Sequence, residues 1–167
     1  MAIDPILARH GRILFEVDRI EALAAGARPA HVDGLAERRW AFTQETLLHC
    51  AQMSDVLAAL MSDLRADAAV RARLAHARTR AFVAAFHEHV DHWRGFPSAE
   101  RWSDYRAAVG WLAGAIRQLI EDEASEIIPL LPVRPSSTPI PPLQHSYAED
   151  AWQVRRLIFD GSQRPLA

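Results

Sequence analysis

Three ionisable side chains stand where the surrounding pattern calls for apolar ones: His10, His49 and Glu123. They occur in the stretches HGRILFEV, LLHCAQMSDVL and LIEDEASEIIPLL, where apolar residues recur three and four positions apart, the spacing of one helical face. A buried imidazole or carboxylate is costly unless it is paired, hydrogen-bonded or bound to a metal. Two kinds of chemistry are therefore open to the set. The three can hydrogen-bond one another, with Glu123 setting the histidine tautomers and the layer specifying helix register, or they can hold a cation.

Either outcome requires helices that bring the three together. Between Ala2 and Leu131 two-residue alternation is nearly absent, so the body reads as all-α. Helix one is expected over Pro5 to Ala25, with Asp4 as N-cap and a stripe of Ile3, Ile6, Leu7, His10, Ile13, Leu14, Val17, Ile20 and Ala24. Helix two is expected over Leu35 to Leu64, with Phe42, Thr46, His49, Met53, Val56, Leu57, Leu60 and Leu64 on one face. Helix three runs from Asp67 to Trp93 with Thr79, Phe82, Val83, Phe86, His89, Val90 and Trp93 inward, and ends at RGFPS. Helix four takes Ser98 as N-cap and runs to Ile128 before Pro129, with Tyr105, Val109, Leu112, Ile116, Leu119, Glu123 and Ile127 inward.

Four such amphipathic helices joined by short turns bury their stripes most simply as an antiparallel up-down-up-down four-helix bundle. In that arrangement helix one starts where helix four ends. His10 is about as far from the first end as Glu123 is from the second, and His10 and His49 lie at similar depth from the first turn, so helix rise alone lets all three share one layer. Residues 1–131 form the expected bundle and residues 132–167 a Pro-rich strap. From Pro129 onward the PLLPVRPSSTPIPPLQHS text favours extended chain, and a short fifth helix is expected around YAEDAWQVRRLIFDG.

The composition narrows the function classes. The 167 residues suit one core, and 50% hydrophobic with 24% charged residues is ordinary globular usage. A net charge of -2 and a pI near 6.4 argue against nucleic acid and against an anionic membrane surface. All the basic residues are arginine. One cysteine, Cys50, excludes an internal disulfide and a cysteine-based zinc site. No signal peptide and no apolar run of about 18 residues is seen, so a cytoplasmic protein is expected.

Over Ile3 to Leu131 the chain resembles the hemerythrin-like proteins, whose HHE cation-binding domain is a four-helix bundle around a di-iron site. The resemblance is carried by His10 in HGRILFEVDRIEAL, by His49 in HCAQM, and by Glu123 with the apolar-apolar-proline ending of LIEDEASEIIPLL. It implies that these residues are metal ligands. Met53 stands where the pattern places a helix-two carboxylate, and Leu119 where it places a helix-four histidine. In helix three, His76 is at the right depth but on the flank of the stripe, and His89 is on the stripe but close to the RGFP turn. The ligand set is thus too small for a di-iron oxygen carrier. His10, His49 and Glu123 keep the residue types of a mononuclear two-histidine, one-carboxylate site, suited to iron, zinc or manganese.

Other candidates weigh less. In HEHVDHW, His87 and Asp91, like Glu88 and His92, stand four apart, but beside a turn this reads as a solvated helix end. Trp40, Trp93, Trp102 and Trp111 read as packing, and EDEASE as an exposed face from which only Glu123 turns inward. Without a GxSxG motif, a phosphate loop or a Cys-His pair, catalysis is not indicated. Two functions are carried forward. One is a hemerythrin-like bundle with a depleted metal site, serving as a binding, sensing or stress-related module. The other is a metal-free interaction protein whose tail contacts a partner or a second copy.

Overall fold

The computed structural model describes residues 3–29, 33–63 and 65–131. The expected strap and fifth helix, and Leu64, lie outside the described residues. Four helices follow one another: α1 (Asp4–Ala25), α2 (Asp33–Met61), α3 (Ala66–His92) and α4 (Trp102–Asp122). A π-helical turn (Glu123–Ile127) and a 3-10 turn (Ile128–Leu130) continue α4, and there is no strand among the described residues. Each helix packs on its chain neighbour, and α1 packs on α4, which closes a four-helix bundle.

Ion pairs across the grooves give the antiparallel sense. Arg12 Nε meets Glu45 at 3.1 Å and Arg38 meets Glu16 at 3.4 Å, so α2 runs back along α1. Arg117 reaches Asp18 at 2.7 Å and Glu21 at 2.5 Å between α4 and α1, and Arg78 on α3 pairs with Glu126 in the π turn. Apart from the largely buried Glu16, these are solvent-accessible pairs, which individually contribute little to stability and mainly select register.

The expected stripes are the core, with local differences. On α2, Phe42, Thr46, His49, Met53, Val56, Leu57 and Leu60 are all buried. On α1, Leu7 is 46% exposed and drops out of the stripe. On α3 the buried face extends back through Ala68, Ala69, Ala72 and Ala75, small residues that let the first half of the helix sit close to its neighbours. Asp4 is not a cap: Ile3 takes the cap position without a side-chain bond, and its carbonyl accepts from the Ile6 and Leu7 amides at 3.0 and 3.2 Å. Ser98 is not a cap either. Its carbonyl accepts from the Arg101 amide at 3.2 Å in a turn that precedes the helix.

The end of α4 departs furthest from the expected continuous helix to Ile128. The Ile128 amide reaches back five residues to the Glu123 carbonyl, the mark of a π turn. Pro129 supplies a reason. It has no amide to continue the ladder, and its ring crowds the carbonyl four residues earlier, at Ser125. The Ser125 hydroxyl meanwhile donates to the Glu121 carbonyl at 2.9 Å. The widened turn keeps both Glu123 and Ile127 fully inside, 2% and 0% exposed.

The core is divided in two. One apolar cluster includes Ile13, Phe82, Phe86, Ile116 and Ile120; the other includes Ile6, Met53, Ala75 and Ile127. On three helices the chain crosses from one cluster to the other at a buried polar residue: His10 on α1, Thr79 on α3, Glu123 after α4. On α2 the crossing falls between Cys50 and Met53, next to His49. The bundle is therefore two apolar blocks with a polar layer between them.

Candidate metal centre

In that layer the three residues singled out in the sequence converge. His49 Nε2 lies 2.7 Å and His10 Nε2 3.1 Å from the same oxygen of Glu123, Oε2. The two imidazoles meet edge to face, with ring centres 4.8 Å apart and planes at 73°. None of the three is more than 5% exposed. Each owes its position to the stripe of its own helix. His10 replaces one inward residue between Ile6 and Ile13, His49 one between Thr46 and Met53, and Glu123 is carried inward at the start of the π turn.

Burial by itself pushes the Glu123 carboxyl up, but hydrogen bonds from His10 and His49 and their charge interaction outweigh it and hold the group below its usual value. A buried carboxylate held ionised calls for compensating positive charge, from a proton on the imidazoles or from a cation. Cys50, one residue beyond His49, is pushed up to about 12 by burial and next by the Glu123 charge, so it remains a neutral thiol.

Three polar atoms in or beside this layer have no hydrogen-bond partner: Glu123 Oε1, His49 Nδ1 and Thr46 Oγ1. Orphaned atoms of this kind are rare in interiors and mark a place where something polar belongs. His10, His49 and Glu123 are, among the described residues, the group of ligating side chains close enough to hold an ion, with ligand atoms within 4.8 Å of one another. A four-coordinate ion with bonds of about 2.1 Å spaces its ligand atoms about 3.4 Å apart. The 3.1 Å pair is close to that and the 2.7 Å pair is shorter. The set supplies three donors for one divalent ion, and closing on it requires the 2.7 Å pair to open by about 0.7 Å and the ligand atoms, which lie within 4.8 Å of one another, to draw to that spacing.

It does not fit two. Met53 is wholly buried in one apolar block and Leu119 lies 5% exposed in the other, so both are core filling and neither offers a carboxylate or imidazole to the layer. α3 contributes neither histidine to the layer. His76 is half-buried outside the ligand group, and the buried Thr79 hydroxyl donates to the Ala75 carbonyl at 3.1 Å. In the HEHVDHW run His87, Glu88, Asp91 and His92 form a solvated face, where Asp91 pairs with Arg94 and the Arg101 guanidinium donates to His92 Nε2 at 2.8 Å, while Val90 and Trp93 are buried and His89 is partly buried.

Sequence reasoning missed the π turn, for which Pro129 was the available signal, and a second polar group around Arg39 and Tyr105 at the other end of the bundle. No protein-family model, no curated protein and no solved structure matches the chain.

Proposed function

We propose that this chain is a hemerythrin-like bundle whose di-iron site has been reduced to a single-ion site, held by His10, His49 and Glu123. The observation that carries the reading is the convergence of both imidazole Nε2 atoms on one buried carboxylate, beside a second carboxylate oxygen that nothing satisfies. Two imidazoles and one carboxylate suit iron(II), zinc or manganese. Bound there, such an ion would supply Lewis acidity, or one-electron chemistry if it is iron, while leaving positions open for a small ligand. The chain's own residues hold and desolvate the site. His10, His49 and Glu123 orient their donors, and the apolar blocks on either side exclude bulk water. The role that follows is a small cytoplasmic binding, sensing or stress-related module, not an oxygen carrier. No helix of the described residues is long and apolar enough to cross a membrane.

A second reading is favoured by one specific observation. The His49 to Glu123 separation of 2.7 Å is that of a strong charge-assisted hydrogen bond. In this reading the layer is metal-free, specifies register, and belongs to a helical interaction protein that contacts a partner or a second copy through its tail. Metal analysis of protein purified without chelator, beside His49→Ala, separates the two. Stoichiometric iron, zinc or manganese that is lost in the variant sustains the single-ion reading. Absence of metal, after reconstitution with each ion in turn, ends it.

A further inference from the structure

The second polar group of the core surrounds a cavity. Next to Val17, Phe42 and Leu112, and about 10 Å from His10 along α1, lies a cavity of about 30 Å³ whose lining includes four polar residues from three helices: Arg39 and Thr43 of α2, His89 of α3 and Tyr105 of α4. The volume holds about two water-sized positions. Tyr105 is 1% exposed, Thr43 is buried, and burial of Tyr105 pushes its phenol up.

Arg39 sets the character of this cavity. It is partly buried, and no carboxylate among the described residues pairs with it. Its Nη1 donates to the Gly95 carbonyl at 3.3 Å, its Nη2 donates to the Trp93 carbonyl, and its guanidinium lies 5.8 Å from the centre of the Tyr105 ring. A guanidinium has five N–H donors in a planar fork, so two carbonyls leave it with donors to spare and its charge uncancelled. The surroundings add no negative charge. Burial and then the Arg39 charge push His89 down to about 4, leaving a neutral imidazole at physiological pH, and Tyr105 remains a protonated phenol. Thr43 gives its hydroxyl to the Arg39 carbonyl at 2.7 Å. The cavity thus gathers one cation, a phenol hydroxyl and an imidazole N–H in apolar walls, and no anion.

We propose that this cavity binds a small monocarboxylate, of formate to acetate size, with its carboxylate on the Arg39 guanidinium and its remaining oxygen edge toward Tyr105 and His89. Charge selects an anion, and the fork favours a planar, two-oxygen one over a spherical ion. The small volume favours a ligand of a few heavy atoms, and the apolar wall accepts a hydrogen or methyl on the far side. The site does not involve His10, His49 or Glu123, so it stands or falls independently of the single-ion reading.

Thermal unfolding of the full chain in sodium formate or acetate, against sodium chloride at the same ionic strength, tests this. A ligand that binds only the folded state raises the midpoint with the logarithm of its concentration once that exceeds the dissociation constant. The expected result is such a rise with formate or acetate and none with chloride, together with a concentration-dependent shift of the His89 ring resonances in NMR. Tyr105→Phe should weaken the apparent affinity about tenfold, and Arg39→Gln should abolish it. Because Arg39 also holds the RGFP turn and its variant can fail to fold, the wild-type resonances and Tyr105→Phe decide the matter alone. An equal rise in chloride, unmoved His89 resonances, or a response unchanged in Tyr105→Phe overturns the proposal.

Discussion

His49 and Glu123 are 74 residues apart in the chain and meet at 2.7 Å, with side chains 0% and 2% exposed. Through this contact, and the parallel one from His10, a single carboxylate ties α1 and α2 to the end of α4. Removing one member of such a set leaves the others buried and unmatched, which is why the layer constrains the protein more than its three side chains suggest.

Glu123→Gln keeps the volume but replaces an ionised acceptor with an amide. It should lower the unfolding free energy of metal-stripped protein by about 2 to 4 kcal/mol in urea titration. The triple variant His10→Leu, His49→Leu and Glu123→Leu, which makes the two apolar blocks continuous, should recover most of that loss while losing any metal affinity. A triple variant less stable than Glu123→Gln would show that the loss in Glu123→Gln does not come from leaving the buried imidazoles unmatched.

Acid should weaken the fold in two stages. His89 is held down to about 4 in the native chain against 6.5 when exposed. Between those values the unfolded chain binds a proton there that the native chain does not, so stability falls as pH drops from 6.5 to 4, by about 3 kcal/mol at most. Glu123 is displaced in the same direction, downward, and its contribution has the same sign. Its native value lies below 4.5, so its contribution is fully present above 4.5 and is lost as pH falls below that. Urea midpoints measured from pH 7 to pH 4 should show the first stage, and His89→Gln should flatten it.

Cys50 should be inert in the native protein. At 3% exposure, and with its thiol pushed up to about 12, it presents neither access nor thiolate. Its alkylation at pH 8 should be more than about 100-fold slower than in urea-unfolded chain and should follow the opening of α2 against the layer. Rapid labelling under native conditions would show that the core near His49 opens readily.

Neighbouring residues on α4 should separate core from surface energetics. Ile116 is 0% exposed between the helices, and Ile116→Ala should cost about 2 to 5 kcal/mol. Arg117 bridges Asp18 and Glu21 at the rim, and Arg117→Ala should cost less than about 1 kcal/mol, declining further in salt. Equal losses at the two positions would mean that the rim pairs are more shielded from water than their exposure indicates.

The helices and their inward faces were legible because they are local properties. Periodicity of three and four placed Ile13, Val17, Met53, Leu57, Val109 and Ile116 inside, and each is buried. The same periodicity exposed His10, His49 and Glu123 as anomalies, and antiparallel packing with equal rise per residue was enough to set them in one layer. Caps were less legible. Asp4 and Ser98 are cap-type residues, but the chain enters each helix through Ile3 and Arg101, because Pro5 and the turn at Ser98 determine where helical geometry begins.

Read alone, the amino-acid order determined an all-α four-helix bundle with two histidines and a glutamate on its buried faces, since helical periodicity needs only neighbours along the chain. Only the tertiary structure decided that both imidazoles meet the same oxygen of Glu123, that the end of α4 widens into a π turn, and that Thr79 instead of a histidine completes the layer on α3. It also decided that Arg39, His89 and Tyr105 share a cavity. These depend on how four helices cross and where their side chains leave space, quantities set by contacts between residues far apart in the chain.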